Sequence, residues 1–509
     1  YYYQYFSDAL YPIEKSLLII LPNDVLSNFA FPDFGKIFEM DFINAVIAIT
    51  LIASIESLLS IKAVDKLDPL KRRSNVNKDI RALGLATVIS GFLGGLNVVT
   101  VIARSSVNVN NKGTNRSANF FHAAFLVLFI LLFATELRKI PLAALAAILV
   151  YTGYKLASPE NIKKVFKIGK EQLLIFLITL ITTITTSLIT GILVGIVSTF
   201  FIHVIINKDI MLFLRNLLKP NVLMFKEDGK YFVSVDNFSS FLNFTKLKSK
   251  LNQIPENEEV IIDFSMCDFV DHSVMENMNG YAETFKRKGG HLEVIGLDNY
   301  STRSEHPFAL RKNIPNFIKP KKGALTKRQK SLQKIGTELN WEYVPYQKED
   351  ITELNTFGYF KTRQINKITN IISNGKCSLF DIEFSEGEMI AKQVIRASMF
   401  YIKLDKTIPE FTLDKEGVFE YIYHFTGFKD IDIKGHSDFS KRFYLSGKNQ
   451  KEILDLFTDE LILFFESNPY YHIESSEHGL LILGKERLAG VKEIKALADF
   501  GIRLQKIIS

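Results

Sequence analysis

Two patterns divide the chain. From Phe42 to about Ile206, apolar residues run in long blocks of Leu, Ile, Val, Ala and Phe. From Asn207 onward, Lys and Glu recur at the density of a water-soluble protein. About twenty consecutive apolar residues suffice for a helix to cross a bilayer. The first part predicts seven crossings, at about 42–61, 82–96, the shorter 98–109, 118–135, 140–153, 171–187 and 189–206. The second of these is rich in glycine (Gly84, Gly91, Gly94, Gly95), and GILVG, Gly191 to Gly195, has the small-xxx-small spacing of a helix contact. Residues 1–40 are mixed, with Pro12, Pro22 and Pro32 breaking any long helix, and read as an extracytoplasmic stretch or the end of a preceding span.

Beyond the apolar part the period changes. YFVSVD, EVIIDFSM and HLEVIGLD predict strands, and FSSFLNFTKLKSKLNQI and SVMENMNGYAETFKRKG predict amphipathic helices. Strands alternating with helices predict a small α/β domain over 208–310. A basic, polar linker at 311–336 follows, and then a soluble α+β region at 337–509, with strands at SLFDIEF, MFYIKL and YYHIESS and one helix over NQKEILDLFTDELILFFES. The expected fold is thus multi-domain: a helical polytopic membrane domain at 41–207, an α/β domain and an α+β region.

The net charge of +7 is spread over loops and surface helices. The basic loops near 62–81, 110–117 and 154–170 fall on one side of the seven crossings, and the opposite loops hold only Glu136, Arg138 and Lys139. The positive-inside rule then puts the polar part in the cytoplasm of a multi-pass cell-membrane protein. No nucleic-acid motif accompanies the charge. Cys267 and Cys377 lie far apart, without metal-ligand spacing, and no nucleophile–base pair suggests an enzyme. The chain opens YYYQYFSDAL, with neither methionine nor a signal-peptide pattern, and reads as the interior of a longer frame.

Two intramembrane features could carry chemistry. Glu56 sits inside the first apolar run, one helical turn from Ser60 and beside Ser57. An ionisable group at that depth points to a cation-binding or titrating site in a wet cavity; a glutamate that snorkels or bonds a neighbouring helix is the competing reading. GGLNVVTVIARSS suggests an interrupted crossing, extended first and helical after. A helix starting in mid-membrane presents free N–H groups and a positive dipole end to an anion, and Arg104 adds a full charge. The competing reading has the glycines permit close packing and Arg104 snorkel.

IESLLSIKAVDKLDP, then SNVNKDIRALGLATVISGFLGGL, VIARSSVNVN and PLAALAAILVYTGYKLA, resembles the SulP family of inorganic anion transporters, over about Leu17 to Ile206. Residues 231 to about 300 resemble the STAS domain that follows the membrane part in that family. The resemblance implies two inverted seven-segment repeats with the anion held between half-helices, and this chain matches the second repeat alone. It puts Glu56 on the family's acidic coupling position, Ser60 on a hydroxyl that helps hold the cation, and Arg104 near the substrate. Val101 and Ile102 fall where backbone amides face the anion, within a stretch running from Thr100 through Ala103 to Arg104. Members commonly have proline where Asn97 stands, and a hydroxyl where Ala103 stands. In FVDHSVMEN, His272 occupies the position of the phosphorylatable serine of anti-sigma-factor antagonists, with Ser273 next to it. A dimer-forming or regulatory module is preferred there over a phosphoswitch.

The expected function is secondary active transport of a small anion, sulfate or bicarbonate, by alternating access, with Na+ or H+ as coupling ion and no other cofactor. The expected partners are the anion, membrane lipid, a second copy of the chain and a cytoplasmic protein at the STAS domain. An uncoupled channel or exchanger, or a membrane-anchored STAS scaffold, are the alternatives.

Overall fold

The computed structural model describes residues 14–21, 31–69, 74–113, 115, 117–156, 158–207, 211, 214–215, 222–298, 300–302, 304–313, 325–346, 352–387, 393–415, 431–433 and 435–508. The chain forms two compact units: Tyr1–Val165 with Leu173–Thr199, and Phe166–Gln172 with Phe200–Ser509.

Each expected crossing contains a helix. These are α1 (Met40–Leu67), α2 (Val76–Phe92), α3 (Ile102–Asn110), α4 (Ser117–Leu137), α5 (Leu142–Leu156), α7 (Lys170–Thr185) and α8 (Leu188–Asn207). By length and composition, three stretches among the described residues are long and apolar enough to cross a membrane: Met40–Asp65, Ser117–Leu137 and Leu188–Asn207. The other helices are shorter, for visible reasons. α2 starts before its apolar run because the Asn75 side chain accepts from the Lys78 N–H (3.2 Å) and caps it. It ends at Phe92, where Gly94 at φ +75° turns the chain out of the helix. α3 has nine residues, about 13 Å of rise and half a crossing. The loop read between α5 and α7 contains a further helix, α6 (Pro159–Ile168).

GILVG does pack. A side chain on Gly191 would bring Cβ within 2.9 Å of Thr183 Cα, and one on Gly195 within 3.3 Å of Thr179 Cγ2. Those threonines turn their hydroxyls back to their own helix, Thr179 to the Ile175 carbonyl (2.8 Å) and Thr183 to the Thr179 carbonyl (2.7 Å). The hydroxyl oxygens of the same two threonines are the atoms nearest these glycines, so a side chain at either position would meet them first.

In the second unit, strands β1 (Val222–Glu227), β2 (Lys230–Val235), β4 (Glu259–Asp263) and β6 (His291–Ile295) form one sheet in that order. The β1–β2 pair is antiparallel, and β2, β4 and β6 run parallel. Helices α9 (Phe244–Leu251) and α10 (His272–Arg287) supply Leu247, Leu251, Met278 and Phe285 to a core with Val260 and Ile262. The sequence reading started α9 at Phe238. Instead Asn237–Ser239 is strand β3, parallel to β5 (Cys267–Val270) in a second small sheet with β7 (Tyr300–Thr302) and β8 (Arg311–Asn313).

The last part of α8 belongs to this unit. Ile206, Phe200, Ile202 and Val204 join Phe238, Phe269 and Leu310, the His203 ring lies 5.0 Å from that of Phe269, and Lys312 Nζ donates to the Ile206 carbonyl (2.6 Å). A cation on a helix's last carbonyls satisfies groups the helix leaves open and opposes its negative dipole end.

The C-terminal region is an antiparallel eight-stranded sheet, β14-β13-β15-β16-β12-β11-β10-β9. Its strands are β9 (Glu342–Tyr346), β10 (Arg363–Ser373), β11 (Cys377–Glu386), β12 (Gln393–Lys403), β13 (Phe411–Lys415), β14 (Phe443–Gly447), β15 (His472–Ser476) and β16 (Gly479–Leu483). Two expectations are corrected here. The second half of the segment read as a linker is α11 (Lys327–Leu339), started by a capping box between Thr326 and Gln329. It buries Leu332 and Ile335 in the sheet's core. The single helix read over 449–467 is two helices, α13 (Gln450–Leu456) and α14 (Asp459–Ser467), after the short α12 (Ser437–Arg442). The break falls at Thr458, whose hydroxyl accepts from the Leu461 N–H (3.4 Å) and restarts the helix.

The α/β domain and the C-terminal sheet meet over a polar joint. Arg328, with its side chain 1% exposed, pairs with Asp298 after β6 (2.9 Å) and with Asp381 on β11 (2.5 Å). It also donates to the Ala489 carbonyl (2.9 Å). Asn370 donates to both carboxylates (3.0 and 2.8 Å). Around this centre the Val491 N–H donates to Glu293, Lys485 pairs with Glu227 (2.9 Å), and Arg487 lies over the Phe232 ring (3.9 Å). Burial opposes the charge on Arg328, yet Asp381 and Asp298 outweigh it and hold the guanidinium above its ordinary pKa.

Candidate anion-binding site

The segment between α2 and α3 is extended, and hydroxyls on its two neighbours hold it. Gly95 lies so close to α2 that a Cβ would sit 3.1 Å from the Ser90 carbonyl oxygen. The Ser90 hydroxyl donates to the Leu96 carbonyl (2.7 Å), and Thr87 Oγ1 accepts from the Val98 N–H (3.1 Å). On the other side the Thr100 N–H donates to Ser57 Oγ on α1 (3.4 Å). Non-helical backbone at membrane depth needs such partners, because hydrocarbon offers none. The sequence reading identified the glycines and Ser57 but missed Thr87 and Ser90. Their signal is two hydroxyl residues one turn apart on the helix preceding the glycines.

α3 starts at Ile102, with Val101 as its extended N-cap (φ −114°, ψ 124°) and no side-chain cap. Its first ladder bond runs from the Ser105 N–H to the Val101 carbonyl (3.3 Å), so the N–H groups before Ser105 have no partner in the helix. Thr100 is half-buried, while Val101 and Arg104 are exposed. Among the described residues Arg104 makes no ion pair. The result is the expected half-helix: an uncapped N-terminus with a positive dipole end and a guanidinium in its first turn.

α1 packs against α3 and gives the site one hydroxyl, that of Ser57. Ser57 and Ser60 are buried, at 3% and 4% exposure. Glu56, one residue and about 100° around the helix from Ser57, is exposed and makes no hydrogen bond or ion pair among the described residues. The structure therefore brings Ser57, rather than Glu56, onto the extended segment that leads into the half-helix.

The candidate regulatory pair lies at the start of α10. Asp271 caps that helix, accepting from the Val274 N–H (2.8 Å) and the Phe241 N–H (2.6 Å); burial pushes its carboxyl up to about 6. The His272 Nδ1–H donates to the Phe308 carbonyl (3.0 Å), tying the helix start to the loop before β8, and Ser273 is half-buried.

Residues 15–179 match the sequence profile of the sulfate permease family. YvdB of Bacillus subtilis (strain 168), a protein assigned by its name to sulfate transport by inference, is 24% identical over 295 residues, 56% of this chain and 54% of YvdB. The bicarbonate transporter BicA of Synechocystis is 22% identical over 281 residues, 52% of this chain and 49% of BicA. The chain thus spans about half the length of the curated relatives it matches. The STAS domain of an anti-sigma-factor antagonist from Rhodobacter sphaeroides aligns with 17% of this chain and 95% of its own length, at 16% identity and a TM-score of 0.14. Over residues 15–179 the chain is thus similar to the sulfate permease family.

Proposed function

We propose that this chain takes part in secondary active transport of a small inorganic anion, sulfate or bicarbonate, coupled to sodium or protons through alternating access. The observation that carries the reading is the uncapped N-terminus of α3, reached through an extended segment pinned by Ser57, Thr87 and Ser90. In this account the anion accepts from the free N–H groups at Ile102, Ala103 and Arg104, next to Thr100 and Val101, and the Arg104 guanidinium supplies the countercharge. Glu56, with Ser60 on the same helix face, is the coupling group. The match of residues 15–179 to the sulfate permease family supports an anion as cargo.

The test is uptake of labelled sulfate and of bicarbonate into proteoliposomes holding the protein that carries this chain, with an imposed sodium or proton gradient. Glu56→Gln should abolish gradient-driven uptake and leave the protein folded. Uptake by Glu56→Gln equal to wild type across pH and sodium concentration contradicts the coupling role. Anion currents that ignore both gradients favour a channel.

A further inference from the structure

α6, between α5 and α7, has a two-sided surface that the proposed transport does not use. At 100° per residue, Ile162, Val165 and Phe166 share one arc, and Lys163, Lys164 and Lys167 lie on the opposite one. No residue of the helix is buried, and Ile162 and Phe166 are 36% and 51% exposed. Lys164 makes an exposed pair with Glu160 (3.7 Å); among the described residues, Lys163 and Lys167 make no ion pair. Ten residues rise only about 15 Å, so α6 is too short to cross a bilayer.

Its neighbours decide what covers the apolar arc. The apolar stretch Leu142–Tyr151 lies in the helix before it, and that helix ends at Leu156, so the start of α6 is within about 11 Å of it by chain reach. Gly169 alone separates α6 from α7, whose body is LLIFLITLI. Given the membrane reading of α5 and α7, on which this step rests, α6 is tethered at the bilayer edge by the chain at both ends, and its last carbonyl, that of Ile168, accepts from the Ser304 hydroxyl (2.5 Å).

We propose that α6 lies in the membrane–water interface, with Ile162, Val165 and Phe166 among the acyl chains and Lys163, Lys164 and Lys167 gathering anionic phospholipid headgroups. An amphipathic helix with a basic polar face has the composition of an interfacial segment. A lysine near an anionic surface strengthens association with that surface roughly fivefold. A soluble acidic protein would meet the charge but not the apolar arc beside it.

Trp341 is the only tryptophan of the chain and gives the background for a quenching experiment on the whole protein in nanodiscs. Phe166→Trp is compared with Phe125→Trp, placed on the apolar α4, in discs where either phosphatidylcholine or phosphatidylglycerol carries brominated acyl chains at equal mole fraction. The proposal expects quenching at residue 166, severalfold stronger when the anionic lipid carries the bromine. Changing Lys163, Lys164 and Lys167 to Gln should remove that preference while quenching by phosphatidylcholine remains. Quenching at 125 with none at 166 overturns the interfacial placement and leaves the membrane reading standing. Equal quenching by both lipids at 166 overturns the anionic selectivity. No quenching at either position overturns the membrane reading as well.

Discussion

Arg328→Met replaces the centre of the buried joint with an apolar side chain of similar length. In the native protein the guanidinium sits against Asp298 and Asp381 and donates to the Ala489 carbonyl. After substitution, Asn370 still donates to both carboxylates, Thr326 to Asp298 and Ser398 to Asp381, but two buried negative charges face each other without a cation. Breaking a buried pair by removing one partner costs about 3–5 kcal/mol. With a urea slope of about 2 kcal/mol per molar, the unfolding midpoint should fall by roughly 2 M. Trp341, two residues beyond the end of α11 and packed on Phe400 (ring centroids 6.1 Å), reports the transition by its fluorescence. Adding Asp298→Asn and Asp381→Asn to Arg328→Met should recover most of the loss, since no charge then remains buried alone. A midpoint for Arg328→Met within about 0.3 M of wild type would refute the view that this pair holds the two sheets together.

A second site sets a pH dependence. His472, its side chain 13% exposed, lies 3.1 Å from Asp414 and 3.5 Å from Glu474. Burial opposes its charge, but the two carboxylates raise its pKa to about 9. The stabilisation is therefore complete below the unfolded value near 6.5 and is lost as pH rises through about 9, amounting to about 3 kcal/mol at most. Urea titrations at pH 7 and pH 10 should show that loss in wild type and a flatter profile in His472→Gln; parallel profiles would contradict it. At the α7–α8 contact, Gly191→Val puts methyl groups where Thr183 Cα already stands 2.9 Å from a Cβ. Overpacking of this kind costs about 1–3 kcal/mol and should lower the midpoint of thermal unfolding in detergent. An unchanged midpoint would mean that the two helices do not pack there.

The hydrophobic pattern located the helices of the membrane part because an apolar run long enough to cross a bilayer has few other uses. It misplaced their ends where a single polar side chain decides the matter. Asn75 starts α2 inside a basic loop, and Thr458 splits one amphipathic pattern into α13 and α14. The α11 segment was mistaken for a linker because its surface is basic; its apolar residues Leu332, Ile335 and Leu339 are matched by three lysines and Arg328, and Arg328 is buried by partners distant in sequence. At the candidate site, the turn from extended chain to helix was legible in the glycines followed by a β-branched run and then a polar helix, and in the structure Gly94 takes a positive φ and the helix start has no side-chain cap. The pinning by Thr87 and Ser90 was not, because it depends on the chain folding back along α2. Glu56 attracted the sequence argument by its charge, whereas contact with the site falls to the small hydroxyl beside it.

The central claim is that backbone N–H groups at the start of α3 hold the anion, and Ile102→Pro tests it directly. Proline is well tolerated at the first helical position, and the extended Val101 before it suits a following proline. The substitution therefore keeps the helix while deleting one donor. A hydrogen bond to a charged group contributes about 1.5–3 kcal/mol, so equilibrium binding of labelled sulfate should weaken by roughly 10- to 150-fold. Binding by Ile102→Pro as tight as wild type, in a protein of unchanged helix content, would contradict the account.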